Sequence, residues 1–307
     1  MKLSRTTFGE RIINSLIILA GYSSILFVGL ILVFLLREGL PALNDVPLKD
    51  LFGSRWYPIE KYFGILPLIS GSILVTVGAI LIAVPFGIGT AVFLSEFSPP
   101  WLRNLLKPII EILAGLPSVV LGFLGIQIVA PFFRRFFDLP TGLTAFTGAV
   151  LLALISLPTI VSIAEDALNT VPPAYRQGAL ALGATNWQTA WGVTVPAARS
   201  GLLTALMLGV GRSIGETMAV MMVTGNAPVL PGGLNALFMP ARTMTATIAS
   251  EMGEVATGSP HYHVLFIYWH HFVPHFFSRQ SGSIIPHAAQ PKTLRTFAFL
   301  RMNDENN

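Results

Sequence analysis

Of the 307 residues, 11% are charged, against roughly 25% in ordinary soluble chains, while 53% are hydrophobic and the mean hydropathy is +0.68. That is too little charge to cover a soluble surface. Cysteine is absent, which excludes disulfide frameworks, thiolate catalysis and Cys-ligated metals. The net charge of +4 suits contact with anionic membrane lipid, and no soluble basic domain exists to bind nucleic acid.

Taken in chain order, Ile12 to Leu36, Tyr62 to Ser95, Ile112 to Phe133 and Leu139 to Ala164 each lack Asp, Glu, Lys and Arg. Each exceeds the roughly 20 apolar residues that a helix needs to cross the hydrocarbon region. Ser200 to Ala241 is a fifth candidate, interrupted only by Arg212 and Glu216. Water is missing from the bilayer core, so segments of this kind satisfy their backbone groups as helices. The expected fold is an all-α polytopic membrane protein with five to six transmembrane helices.

The first stretch follows Lys2, Arg5 and Arg11, as a signal peptide would. Its apolar run is longer than a 7–15-residue signal core and no small-residue cleavage site follows, so it reads as a retained helix ending near Arg37-Glu38-Gly39. Residues 1–61 then form an amino-terminal span and an outer loop. Charge does not fix the orientation. An inside amino terminus puts Lys2, Arg5, Arg11, Arg103, Lys107, Arg176 and Arg199 inside, and an equal number outside: Arg37, Lys49, Arg55, Lys61, Arg134, Arg135 and Arg242. The amino-terminal cluster tilts the balance weakly toward inside.

Proline recurs within the apolar stretches at Pro67, Pro85, Pro117 and Pro158, and packing kinks are its default reading. Gly71, Gly78, Gly87 and Gly89 point to close helix contact.

Between the fourth and fifth stretches, residues 165–199 are too polar to span. Pro172-Pro173 opens a helix, since the first turn has no use for its backbone donors. Gly183 ends it in left-handed geometry. Thr185-Asn186-Trp187-Gln188 is a capping box that starts a second helix, with Trp187 and Trp191 on one face. Pro196 breaks or kinks that helix before the fifth span. On residue types alone this helix-turn-helix is equally an interfacial linker or a docking element.

In the fifth stretch, Arg212 and Glu216 are spaced i, i+4 and so lie on one face of a continuous helix. Ionisable residues inside a membrane are costly and are functional candidates by default. One reading is a self-neutralising ion pair. The other is an anion path, in which the guanidinium fork of Arg212 meets oxyanion oxygens, Glu216 accepts a proton-bearing oxygen, and Thr217 adds a neutral donor.

The spacing Gln177-Gly178-Ala179, three residues, Gly183, nine residues, Val193-Thr194-Val195-Pro196 resembles the EAA loop of ABC importer permeases. Gln177 and Gly178 depart from its Glu and first Ala. The string Gly209-Val210-Gly211-Arg212-Ser213-Ile214-Gly215-Glu216-Thr217-Met218-Ala219-Val220 resembles the fifth-span signature of the PstC-type phosphate permease family. This resemblance runs from about Arg11 to about Phe266. It implies the type I ABC importer permease architecture, a core permease domain over 62–266, and a multi-pass place in the bacterial inner membrane with a cytoplasmic amino terminus. Gln177, Gly178, Ala179, Gly183 and Pro196 would couple to an ATPase, while Arg212, Glu216 and Thr217 would line the substrate pathway.

The implied partners are a PstA-like paralogous permease, two cytoplasmic ATPase subunits and a periplasmic phosphate-binding protein. No nucleotide-binding loop or catalytic set occurs in the chain, so ATP and Mg would be bound by the ATPase and no cofactor by this subunit. Alternatives are a permease for another oxyanion, the PstA-type partner itself, and a proton-coupled secondary transporter. The last would normally show two related halves and more intramembrane acids.

His261, His263, His270, His271 and His275 cluster late in the chain without carboxylates at ligand spacing, so no metal site is expected. After Phe266 the character changes abruptly: residues 267–307 read as an atypical, disordered tail. A reading-frame shift near Phe266 would produce such a carboxyl terminus and remove most of a sixth span; the other reading is that Tyr262 to Phe277 still crosses, tilted and shielded by its neighbours.

Overall fold

In the computed structural model, residues 8–267 are described. Contacts divide the chain near residue 272; the described residues lie in the first unit, and the second, 273–307, falls outside them. The expected tail and the loss of a sixth span therefore lie almost wholly outside the described residues.

The first helix, α1 (Phe8–Gly39), leaves nearly all its apolar side chains exposed, Ile25 at 71% among them. Two short helices, α2 (Ala42–Asp45) and α3 (Leu48–Leu51), lead to a hairpin of β1 (Trp56–Tyr57) and β2 (Tyr62–Phe63), paired antiparallel with Trp56 opposite Phe63. The sequence suggests a loop up to residue 61 and an apolar span from Tyr62, whereas Tyr62–Phe63 form β2 and the helix starts at Leu66. Trp56 and Phe63 turn inward to a core with Val46, Leu51, Leu68, Met244, Val264 and Leu265.

Three helices form the centre: α4 (Leu66–Val92), α8 (Ala145–Asn169) and α12 (Arg199–Gly215). In lipid their association rests on close van der Waals packing, because lipid tails are as apolar as leucine. Glycine permits the approach. Ile160 of α8 is clasped between Gly87 of α4 and Gly209 of α12, and a Cβ at Gly87 would stand 2.7 Å from it. A Cβ at Gly78 would come within 2.9 Å of Ala149 Cβ, and one at Gly71 would strike the Arg242 backbone. Gly89, expected to do the same, faces open space.

The third apolar stretch is not one helix. Proline disfavours helical geometry in the residue before it, and the chain breaks at Leu116-Pro117. It divides into α5 (Pro100–Gly115) and a span built from α6 (Ser118–Leu124), a π-helical turn (Gly125–Val129) and α7 (Ala130–Phe136). Pro117 thus lies at a helix boundary and Pro67 in a first turn, not inside spans, whereas Pro85 and Pro158 are internal.

The fifth stretch is also broken. After α12 the chain is extended at Glu216, resumes as α13 (Met218–Val223), loops through residues 224–243 and enters α14 (Met244–Glu251). Residues 260–267 are helical. Among the described residues, four helices are long and apolar enough to cross a membrane, or five if the bent pair Asn186–Ala197 and Arg199–Gly215, inclined at 74°, is one span.

Candidate functional site

The segment between α8 and α12 folds as the local signals direct. Helix α9 (Pro173–Ala181) starts at the proline pair. It ends in a Schellman motif: Gly183, at φ +85°, donates its N–H to the Leu180 carbonyl (3.0 Å), and Ala184 donates to the Ala179 carbonyl (3.1 Å). Thr185 and Gln188 form the reciprocal capping box of α10 (Asn186–Thr189). A π-turn (Ala190–Thr194) and α11 (Val195–Ala197), which contains Pro196, precede the bend into α12.

Gln177 and Gly178 are exposed, Ala179 is half-buried, and no residue of α9 is buried. Leu182 is 91% exposed and Trp187, stacked near Trp191 and Phe97, is 62% exposed. Exposed apolar surface of this kind marks a protein or membrane contact.

Two charge clusters hold the segment in place, and sequence reasoning did not single them out. Arg176 grips Glu96, in the π-turn after α4, with a 2.7 Å contact from Nη2 and 3.1 Å contacts from Nε. Its other N–H groups donate to the carbonyls of Val171 (2.8 Å) and Leu168 (2.9 Å). Glu165, 1% exposed, receives Arg103 of α5 at 2.7 Å and Lys107 at 3.4 Å. Lys107 also reaches Asp166 at 3.1 Å, and the hydrogen bond to Asp166 raises the lysine pKa above its ordinary value despite burial. Carboxylates at this depth imply cationic partners, which was the available signal; which cations, the sequence does not say.

At the break in the fifth span the i, i+4 expectation fails. The helix ends at Gly215 and Glu216 is extended (φ −72°, ψ 126°), so Arg212 and Glu216 do not share a helical face. Among the described residues no carboxylate lies within ion-pair distance of Arg212. Its Nη1 donates to Thr159 Oγ1 of α8 (3.0 Å) and its Nη2 to the Ala114 carbonyl at the end of α5 (3.0 Å). Helix carboxyl ends carry partial negative charge, so a cation is favoured there.

Glu216 instead caps α13. Its Oε1 accepts from the backbone N–H of Thr217 (3.2 Å) and Ala219 (3.3 Å). Thr217 Oγ1 donates to the Gly215 carbonyl (3.3 Å). The structure thus brings Arg212 to α8 and α5, and Glu216 with Thr217 to the start of α13. Beside Arg212, Ser213 Oγ and Ser156 Oγ are hydrogen-bonded at 2.8 Å in a fully buried pair.

At the end of α14, Glu251 gathers Trp56 Nε1 (3.1 Å), Arg242 Nη1 (2.8 Å) and His261 Nε2 (2.8 Å). Burial pushes the Glu251 carboxyl up, but the hydrogen bonds from His261 and Trp56 and the charge of Arg242 outweigh it and leave the pKa below the ordinary value. So His261 does meet a carboxylate, 10 residues away in sequence, but among the described residues no group of three ligand types could hold a metal ion.

A chain of crossing helices, broken at an arginine and carrying an exposed helix-turn-helix between two of them, defines a membrane-embedded transport subunit. Residues 83–249 match the family model described as the binding-protein-dependent transport system inner membrane component, and the chain belongs to that family. Over 234 residues it is 43% identical to a probable ABC transporter permease, YqgH, of Bacillus subtilis, covering 75% of each chain. It is 36% identical over 258 residues to the phosphate transport system permease protein PstC of Mesorhizobium japonicum, covering 78% of this chain and 75% of that one.

Two structures of the inward-facing MetNI methionine ABC transporter share the fold. One has a TM-score of 0.55 at 18% identity, covering 75% of this chain and 96% of its own. The other has 0.51 at 21%, covering 72% and 91%. The type I importer permease architecture is therefore present, and the subunit is a transport component and not an enzyme.

Proposed function

We propose that this chain forms half of the path through which inorganic phosphate enters the cell, with energy from ATP hydrolysed elsewhere. The observation that carries this reading is the break at Gly215–Thr217 next to an arginine that has no counter-ion among the described residues. Non-helical backbone at membrane depth is tolerated where it is buried or lines a cavity, and transporters place substrate sites at such discontinuities. Arginine keeps its charge at any physiological pH and presents five N–H donors. Two are used on neutral acceptors, so three remain for an oxyanion. Glu216 Oε2 has no hydrogen-bond partner among the described residues and can accept from a protonated oxygen. That favours HPO4 or H2PO4 over an oxyanion without a proton. Relatives named as phosphate permeases support phosphate as the substrate.

In this reading the 165–199 segment is cytoplasmic. Gln177, Gly178, Ala179, Gly183 and Pro196 shape the surface that docks an ATPase, four crossings separate it from a cytoplasmic amino terminus, and the membrane is the bacterial inner membrane. The assembly comprises a PstA-like permease, two ATPase subunits that hold ATP and Mg, and a periplasmic phosphate-binding protein. The test is uptake of labelled phosphate across a pH series by Arg212→Gln and Glu216→Gln variants. Arg212→Gln is expected to abolish uptake. Glu216→Gln keeps an oxygen for capping α13 and is expected to change the pH dependence or the preference over sulfate. Normal uptake by Arg212→Gln would remove the site assignment.

A further inference from the structure

Thr159 is the helical hydroxyl that accepts from Arg212, and it differs from those that bond within their own helix. Thr204, Thr224, Thr247, Ser70 and Ser72 each donate back to the carbonyl four residues earlier in their own helix. Among the described residues Thr159 makes no such bond. Its Oγ1 accepts from Arg212 Nη1 at 3.0 Å, across from α8 to α12. A hydroxyl holds one proton to donate besides the lone pairs it accepts with, and the Thr159 proton has no acceptor among the described residues. The group lies beside a guanidinium that no carboxylate among the described residues neutralises.

We infer that Thr159 is a specificity-determining residue of the transport path: it holds Arg212 as a hydrogen-bond acceptor and donates its own proton to the passing oxyanion. The inference rests on the proposed role of Arg212 and adds a second donor to it. The surroundings keep this arrangement fixed. Gly209 and Ile160 bring α12 against α8 one turn away, and the Ser156–Ser213 pair sets the rotation of the two helices. Ala114, the second acceptor, is at the end of α5, whose other end is tied to α8 through Arg103 and Glu165. Without the Thr159 acceptor, only the Ala114 carbonyl holds Arg212, and the guanidinium loses its set direction.

The experiment uses the complete importer in proteoliposomes and reads labelled inorganic phosphate accumulated per ATP hydrolysed. Thr159→Val removes the hydroxyl at nearly constant volume, and Thr159→Ser retains it. Phosphate per ATP is expected to fall about tenfold in Thr159→Val and to stay within about twofold in Thr159→Ser, with both variants assembling with the ATPase. Normal transport by Thr159→Val overturns the inference. Equal loss in both variants also overturns it, since the hydroxyl would then not be the cause. So does a Thr159→Val importer that fails to assemble while Thr159→Ser assembles, because the role would be packing. Arg212→Gln run in parallel separates the two levels. If it transports normally the proposed function fails, whereas if it alone is inactive only the role of Thr159 fails.

Discussion

Arg176→Ala removes the side chain that joins the exposed helix α9 to the membrane core. Its partner Glu96 is 8% exposed and Arg176 itself 23%, so the pair is shielded but not sealed. Breaking a fully buried pair by deleting one partner costs about 3–5 kcal/mol, chiefly from the charge left behind; discounting for the exposed quarter of Arg176 gives about 2–3 kcal/mol. The carbonyls of Val171 and Leu168 also lose a donor, and both residues are buried, which adds to the loss. Glu96→Gln keeps an acceptor oxygen, so about 1–2 kcal/mol is expected. The assay is a double-mutant cycle on the purified permease, read by denaturant titration in mild detergent, with ATPase pull-down alongside. A coupling energy of about 2 kcal/mol and weakened ATPase association are expected, with membrane insertion intact. A coupling below about 0.5 kcal/mol with normal association would refute the reasoning, because the contact would then be a solvated surface pair.

Gly183→Val forces a β-branched residue to φ +85°, where no atom stands in the way of its Cβ. The penalty is therefore backbone strain of about 1–3 kcal/mol, and ATPase association should fall while expression and insertion persist. Glu251→Gln is expected to destabilise the cluster at the end of α14 by about 1–2 kcal/mol, since Arg242 and His261 lose their shared anion while the amide still accepts from Trp56; thermal melting in detergent checks it. The depressed Glu251 pKa gives the pH direction. Its stabilisation is present above the ordinary carboxylate range and is lost as pH falls through the lower folded value. Loop accessibility should rise below about pH 4.5 in the parent and lack that step in the variant.

What could be read from sequence was what local chemistry determines. The turn at Gly183, the capping box at Thr185 and the proline start of α9 each depend on residues within four positions, and all are present. The apolar stretches that became α4 and α8 were also legible, because membrane insertion needs only length and hydropathy. The partners of Arg212 were not. Thr159 and Ala114 are 53 and 98 residues away, so the nearest carboxylate in sequence was the natural guess. Glu216 was diverted by two backbone N–H groups that exist only because α12 stops. Arg176 finds Glu96 at a separation of 80 residues, a pairing that packing decides and periodicity does not.

The isolation of α1 has a consequence for the order of events during synthesis. Its anchors among the described residues are at its far end: Phe34 meets Phe266 edge-on at 5.7 Å, and the Glu38 carbonyl contacts His263 Nδ1 at 2.7 Å. Those partners leave the ribosome 225 residues after the residues they hold. At about 5–20 residues per second, the first span stands in the bilayer for roughly 10–45 s before its anchors exist. Lipid is the companion of those unpaired apolar side chains throughout that interval, until Phe266 and His263 arrive to hold the end of the first helix.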